Sequence, residues 1–108
     1  LEVMVSADMI GKVRPLIATR LRGTSSGAAR ELAGAARASG TRASVRTLGD
    51  ISDHGPFALA GMPAAFLWTG FEQNHHLPTD VVRNVARRSL GRSGEALLEL
   101  VDRVLGSA

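Results

Sequence analysis

The chain has 108 residues, of which 44% are hydrophobic, and it carries a net charge of +3 with no cysteine. This length accommodates one domain with a modest core, and the absence of cysteine excludes disulfides and thiolate metal ligands. No apolar run is long enough to span a membrane. The basic residues are nearly all arginine and are spread over several predicted elements, with few aromatic residues for stacking, so a nucleic-acid-binding surface is not expected.

Strand and helix patterns alternate along the chain, which predicts a layered α/β domain. The predicted strands are 1–10, 15–22, 41–48 and 64–68, and the predicted helices are 27–39, 56–60 and 93–105. The helix over 27–39 has an alanine-rich face, which predicts close packing against a sheet. Gly40 follows it and is predicted to adopt the left-handed conformation that ends many helices.

All three histidines fall between residues 52 and 80, which makes this stretch the most informative one. His54 precedes an apolar run that ends in Thr69-Gly70, and His75 and His76 follow that run. Such an arrangement is typical of a buried strand between two polar loops. Loops at strand ends carry the chemistry of open α/β sheets. The imidazoles and neighbouring carboxylates therefore indicate a metal site or an acid-base site.

A further candidate, Asp8, lies inside the first apolar run of the chain. Burying a carboxylate in a strand is costly unless a charged or hydrogen-bonding group meets it. Two interpretations of Asp8 stay open: a carboxylate that caps a neighbouring loop, or a metal ligand.

Four short motifs occur in a fixed order along the chain. They are Asp-Met-Ile-Gly at 8–11, Ser-Asp-His-x-Pro-Phe at 52–57, Gly-x-Pro-Ala at 61–64 with Thr-Gly at 69–70, and His-x-Pro-x-Asp at 76–80. Together they resemble the C-terminal half of the di-zinc aminopeptidase family, zinc exopeptidases related to leucyl aminopeptidases and glutaminyl cyclases. The resemblance implies that residues 1–108 are part of a three-layer α/β/α sandwich with a mixed sheet, whose N-terminal half is absent.

The resemblance also implies roles for individual side chains. Asp8 would ligate one zinc ion and His76 the other, in a complete site that holds two Zn²⁺ ions. His75 stands where relatives often carry an aromatic residue, in some a tyrosine that donates a hydrogen bond to the developing oxyanion, and its ring N–H is expected to take that role. Asp53 is expected to orient an imidazole or a catalytic proton network. The alternatives are an ordinary loop for the two histidines, and helix capping by Ser52 or Asp53.

The activity that the resemblance implies is that of a zinc metallopeptidase of the aminopeptidase type, acting on peptide or aminoacyl substrates. A secreted or periplasmic location is suggested by the resemblance alone. The family's other ligands and its glutamate base precede the Asp-Met-x-Gly segment, so we expect this chain to need the N-terminal half of the same domain and to be inactive alone. One alternative is a non-catalytic binding or assembly module that retains the fold, and another is a domain that borrows a half-site from a second chain. A Ser-His-Asp hydrolase is not expected, because no Gly-x-Ser-x-Gly elbow follows a strand.

Overall fold

A computed structural model describes residues 3–11, 14–49, 51–70 and 86–106. The strands are β1 (Met4–Ala7), β2 (Leu16–Leu21), β3 (Ala43–Leu48) and β4 (Ala64–Trp68), and the helices are α1 (Gly27–Ala38), α2 (His54–Leu59) and α3 (Arg87–Gly106). No helix in this part of the chain combines the length and apolar character needed to cross a membrane. The predicted alternation of strands and helices is confirmed.

The four strands form one mixed sheet in the order β1-β4-β2-β3. β1 runs parallel to β4, β2 runs parallel to β3, and β2 runs antiparallel to β4. Consequently β1 and β4 finish at the same end of the sheet at which β2 and β3 begin. We call this the site end of the sheet, because the candidate residues lie there.

Helices α1 and α3 pack together on one face of the sheet. Because side chains alternate along a strand, Leu16 and Ala18 of β2 join Ala65 and Leu67 of β4 beneath them. The buried residues of α1 are mostly alanines, and Leu32 is the largest of them. Alanine lets a helix approach the sheet closely, as the alanine-rich pattern predicts. This face holds the larger of the two cores.

Helix α2 covers the opposite face, where Ala58 packs with Leu21 and Ala64. The fold is therefore three layers, helices on both sides of a mixed sheet, as the resemblance implies. On the first face α1 and α3 run in opposite directions, since Arg103 near the end of α3 forms an ion pair of 3.2 Å with Glu31 in the first half of α1. Helix α3 thus starts at the site end of the sheet and runs away from it.

Candidate functional site

Asp8 lies at the site end of the sheet, directly after β1. Ala7 is the last residue of β1 that pairs with β4, opposite Leu67. One more hydrogen bond follows, from the Asp8 N–H to the Leu67 carbonyl oxygen at 3.1 Å. The strand predicted over 1–10 is shorter than expected, because β1 ends at Ala7. Asp8 is consequently exposed rather than buried in a strand. Its carboxylate carries no large desolvation cost and is accessible to a ligand.

The backbone turns sharply after Asp8, and this turn explains the early end of β1. Met9 has a φ angle of +52°, the only positive value among non-glycine residues of the described chain. A left-handed non-glycine residue costs of order 1–3 kcal/mol and persists only where neighbours hold it. The Met9 N–H donates to Oδ1 of Asp8 at 2.9 Å. The turn therefore also fixes the orientation of the carboxylate.

Thr69, at the end of β4, holds the Met9 carbonyl from the neighbouring strand. Its backbone N–H donates to the Met9 oxygen at 3.1 Å and its hydroxyl donates to the same oxygen at 3.0 Å. Thr69 is buried. The sequence motif includes the Thr-Gly pair at this strand end but does not indicate what the threonine does. The only sequence signal for its role is a hydroxyl side chain at the end of an apolar run.

The first turn of α3 and the residue just before it hold the next two carbonyls. The Ser89 hydroxyl donates to the Ile10 oxygen, and the Ala86 N–H donates to the Gly11 oxygen at 2.6 Å. The periodicity predicts that α3 starts at residue 93, whereas the helix begins at Arg87. The prediction is too late because the first turns carry mainly arginine, serine and glycine, so the apolar stripe is not visible there. This early start is what brings Ser89 to the site end.

The candidate ligand His76 and the candidate catalytic residue His75 lie outside the described residues. The chain on either side of them is described: Thr69 contacts Met9, and Ala86 contacts Gly11. Thr69 and Ala86, described residues on the two sides of the segment 71–85, are thus bonded to residues that follow Asp8. Their roles, like the ligand role of Asp8, stay predictions.

Asp53 precedes α2 on the other face of the sheet and is exposed. Among the described residues its side chain makes no capping hydrogen bond, so capping of α2 by Asp53 is not supported. The reason is its backbone: with φ −64° and ψ −15° it is already helical, whereas a capping residue is extended. The carboxylate therefore remains available for another role, and the orienting role stays a prediction.

His54 follows Asp53 and is fully buried. Its ring stacks on Phe66 with centroids 5.4 Å apart, and Phe66 stacks in turn on Trp68 at 5.0 Å. His54 therefore belongs to the packing between α2 and β4 and supports the fold. It also fixes the start of α2, and with it Asp53, above β4.

Of the proposed zinc ligands, Asp8 lies among the described residues and His76 does not. They contain no group of three or more histidine, cysteine or acidic side chains that could hold an ion. Asp8 supplies an exposed carboxylate whose second oxygen accepts no hydrogen bond from the described part of the chain. Carboxylate oxygen is a normal zinc ligand. The donor at Asp8 fits zinc, and further ligands are needed to bind it tightly.

Comparisons with known proteins agree with this geometry. Residues 1–101 match the profile of the family described as Peptidase family M28. Two solved structures of BSAP, a zinc aminopeptidase from Bacillus subtilis, are similar, with TM-scores of 0.79 and 0.77 and 25% sequence identity. Each similarity covers 95% of this chain and 28% of the BSAP chain, so the chain spans just over a quarter of that protein. No curated protein sequence matches it significantly.

Proposed function

The chain belongs to peptidase family M28, and from this premise we propose that it is part of the catalytic domain of a zinc-dependent aminopeptidase. The observation that carries the proposal is the exposed carboxylate of Asp8, held at the site end of the sheet. The residues after it are anchored to both flanks of the segment that contains His75 and His76. The similarity to BSAP supports the zinc aminopeptidase assignment.

We assign each side chain a role in this proposal. Asp8 and His76 would each bind one of two zinc ions, which when bound supply Lewis-acid polarisation of the peptide carbonyl. The ring N–H of His75 would donate a hydrogen bond to the carbonyl oxygen as negative charge develops on it. Asp53 would accept a hydrogen bond from an imidazole N–H and so hold that ring in one orientation.

Two ligands cannot hold a pair of metal ions at useful affinity. We therefore propose that the remaining ligands and the general base come from another part of the same domain, and that residues 1–108 alone are inactive. The coverage of 28% of the BSAP chain supports this division. Activity is therefore expected of the full-length protein and not of residues 1–108 alone.

The test is hydrolysis of leucine p-nitroanilide by the zinc-loaded full-length protein. We expect hydrolysis that is lost on chelation and restored by Zn²⁺, and no cleavage of the N-acetylated anilide, because an aminopeptidase requires a free amino terminus. Cleavage of the acetylated substrate would contradict the aminopeptidase type. No zinc binding and no hydrolysis of any peptide would instead favour the non-catalytic module that retains the fold.

A further inference from the structure

Three arginines from three separate parts of the chain lie at the site end of the sheet. Arg14 precedes β2 and Arg42 immediately precedes β3, and both strands begin at the site end. Arg92 lies in the second turn of α3, and Ser89 in the first turn of this helix is bonded to Ile10. Although the arginines are scattered in the sequence, the topology brings these three together.

The three side chains line one pocket of about 300 Å³, together with Pro15, Gly40 and Thr41. None of the described residues that line the pocket is acidic. Within the described parts of the chain, neither Arg42 nor Arg92 has a hydrogen-bond or ion-pair partner for its guanidinium group. Guanidinium groups in such a pocket attract an oxyanion and can bind a carboxylate through two parallel hydrogen bonds.

Two other arginines of this chain, in contrast, have partners for their guanidinium groups within the fold. Arg37 donates to the Ala43 carbonyl oxygen at 3.0 and 3.2 Å, and Arg103 pairs with Glu31 and Glu99. Those guanidinium groups are engaged in the fold itself. The pocket arginines Arg42 and Arg92 have no such structural task among the described residues.

The pocket lies at the same end of the sheet as Asp8. The distance between Asp8 and the pocket can be estimated from the number of strands between them. A Cβ atom on Gly70, just after β4, would be 3.9 Å from Nη1 of Arg14, so the pocket adjoins the end of β4. In the order β1-β4-β2-β3, Arg14 is two strands from Asp8 and Arg42 is three. At about 4.8 Å per strand, these separations are roughly 10 and 14 Å. An extended peptide covers about 3.3 Å per residue, so three or four residues bridge the gap.

We infer that this arginine pocket binds the free C-terminal carboxylate of a short peptide substrate whose amino terminus lies at Asp8. The inference rests on the proposed aminopeptidase function and names its substrate class, peptides of three or four residues with an uncapped carboxyl end. The pocket is remote from the bond that is cleaved. It therefore contributes to the binding of the substrate, and its loss raises KM more than it lowers kcat.

The test compares tetra-alanine with tetra-alanine amide in the full-length zinc-loaded protein. We expect the acid to have the lower KM, and the double variant Arg42→Gln/Arg92→Gln to raise that KM by about 10- to 100-fold, the range of a charge-assisted hydrogen bond. The KM of the amide should change little. The matched control is Arg22→Gln/Arg30→Gln, which removes the same charge from two exposed arginines outside the pocket and should leave the acid's KM unchanged.

Binding to the metal-free protein gives a second readout, independent of turnover. Titration calorimetry should show the acid binding more tightly than the amide, with the difference lost in Arg42→Gln/Arg92→Gln. Equal KM values for acid and amide, beside normal hydrolysis of leucine p-nitroanilide, would overturn this inference and leave the proposed function standing. Inhibition by inorganic phosphate without preference for the acid would also overturn it. Failure to hydrolyse the anilide would refute the proposed function and this inference with it.

Discussion

Thr69 binds the carbonyl oxygen of Met9 twice, through its backbone N–H at 3.1 Å and its hydroxyl at 3.0 Å. This pair joins the end of β4 to the left-handed turn that follows Asp8. The turn is unfavourable for methionine, so its persistence depends on contacts of this kind. The position of the Asp8 carboxylate therefore depends on a residue of the neighbouring strand that lies outside the proposed set of metal ligands.

Replacing Thr69 by valine keeps the shape of the buried side chain and removes its hydroxyl. We expect the free energy of unfolding to fall by about 1 kcal/mol, the usual value of such a hydrogen bond. We also expect weaker zinc binding, because the turn that orients Asp8 is held less firmly. Urea denaturation and zinc titration measure the two effects. Thr69→Ser retains the hydroxyl and should keep most of the zinc affinity; equal zinc affinity for Thr69→Val and the wild type would contradict this role.

Two buried serines on α3 should differ in their response to replacement by alanine. Ser89 donates to the Ile10 carbonyl, so Ser89→Ala should destabilise the protein by about 1–2 kcal/mol. Ser93 is fully buried, and its hydroxyl has no partner among the described residues. Removing an unsatisfied hydroxyl recovers its desolvation cost, so Ser93→Ala should be neutral or stabilising. Thermal denaturation of both variants checks the difference, and a larger loss for Ser93→Ala would contradict this assignment.

Gly70 and Gly91 form a second contrasting pair. Gly70 has φ +91°, and a Cβ there would make only ordinary contacts, so Gly70→Ala should cost about 1–2 kcal/mol through backbone strain alone. Gly91 lies inside α3, with open space where the Cβ of an alanine would lie. Alanine is the better helix former by about 1 kcal/mol. Chemical denaturation should therefore show a loss for one variant and a gain for the other, and two losses would contradict the assigned backbone states.

Asp53→Asn separates an orienting role from a structural one. The substitution keeps the size of the side chain and removes its charge, and no capping hydrogen bond is lost with it. We expect kcat to fall by about 10- to 100-fold, the effect of removing a partner of a catalytic imidazole. Zinc content and thermal stability should stay close to the wild type. Unchanged kcat would show that Asp53 has no part in the reaction, and Ser52→Ala serves as the neighbouring control.

The parts of the fold that can be predicted are those with a strong local pattern. The predicted bounds of β4 agree with the observed ones, because five consecutive apolar residues are all buried. The left-handed conformation predicted for Gly40 is confirmed by its φ of +91°. In both places the sequence signal is confined to a few neighbouring residues and does not depend on distant contacts.

The parts that cannot be predicted depend on contacts between distant residues. The end of β1 could not be predicted, because the apolar run at the start of the chain continues past it. The turn at Met9 that ends the strand is stabilised by Thr69, sixty residues away. The start of α3 could not be predicted for the same reason. Its first turn contacts the rest of the fold through the hydrogen bond from Ser89 to Ile10, which is distant in sequence. The arginine pocket needs the strand order, which no single stretch of sequence contains. The motif identifies Asp8 as a candidate site residue, although it is exposed and not buried as expected.

In the proposed function, Asp8 and His76 each bind zinc in the complete domain. The most direct measurement is anomalous diffraction at the zinc edge from crystals of the full-length protein grown with Zn²⁺. We expect anomalous peaks at about 2.0–2.2 Å from a carboxylate oxygen of Asp8 and from a ring nitrogen of His76. Zinc bound elsewhere, with Asp8 facing only solvent, would contradict it.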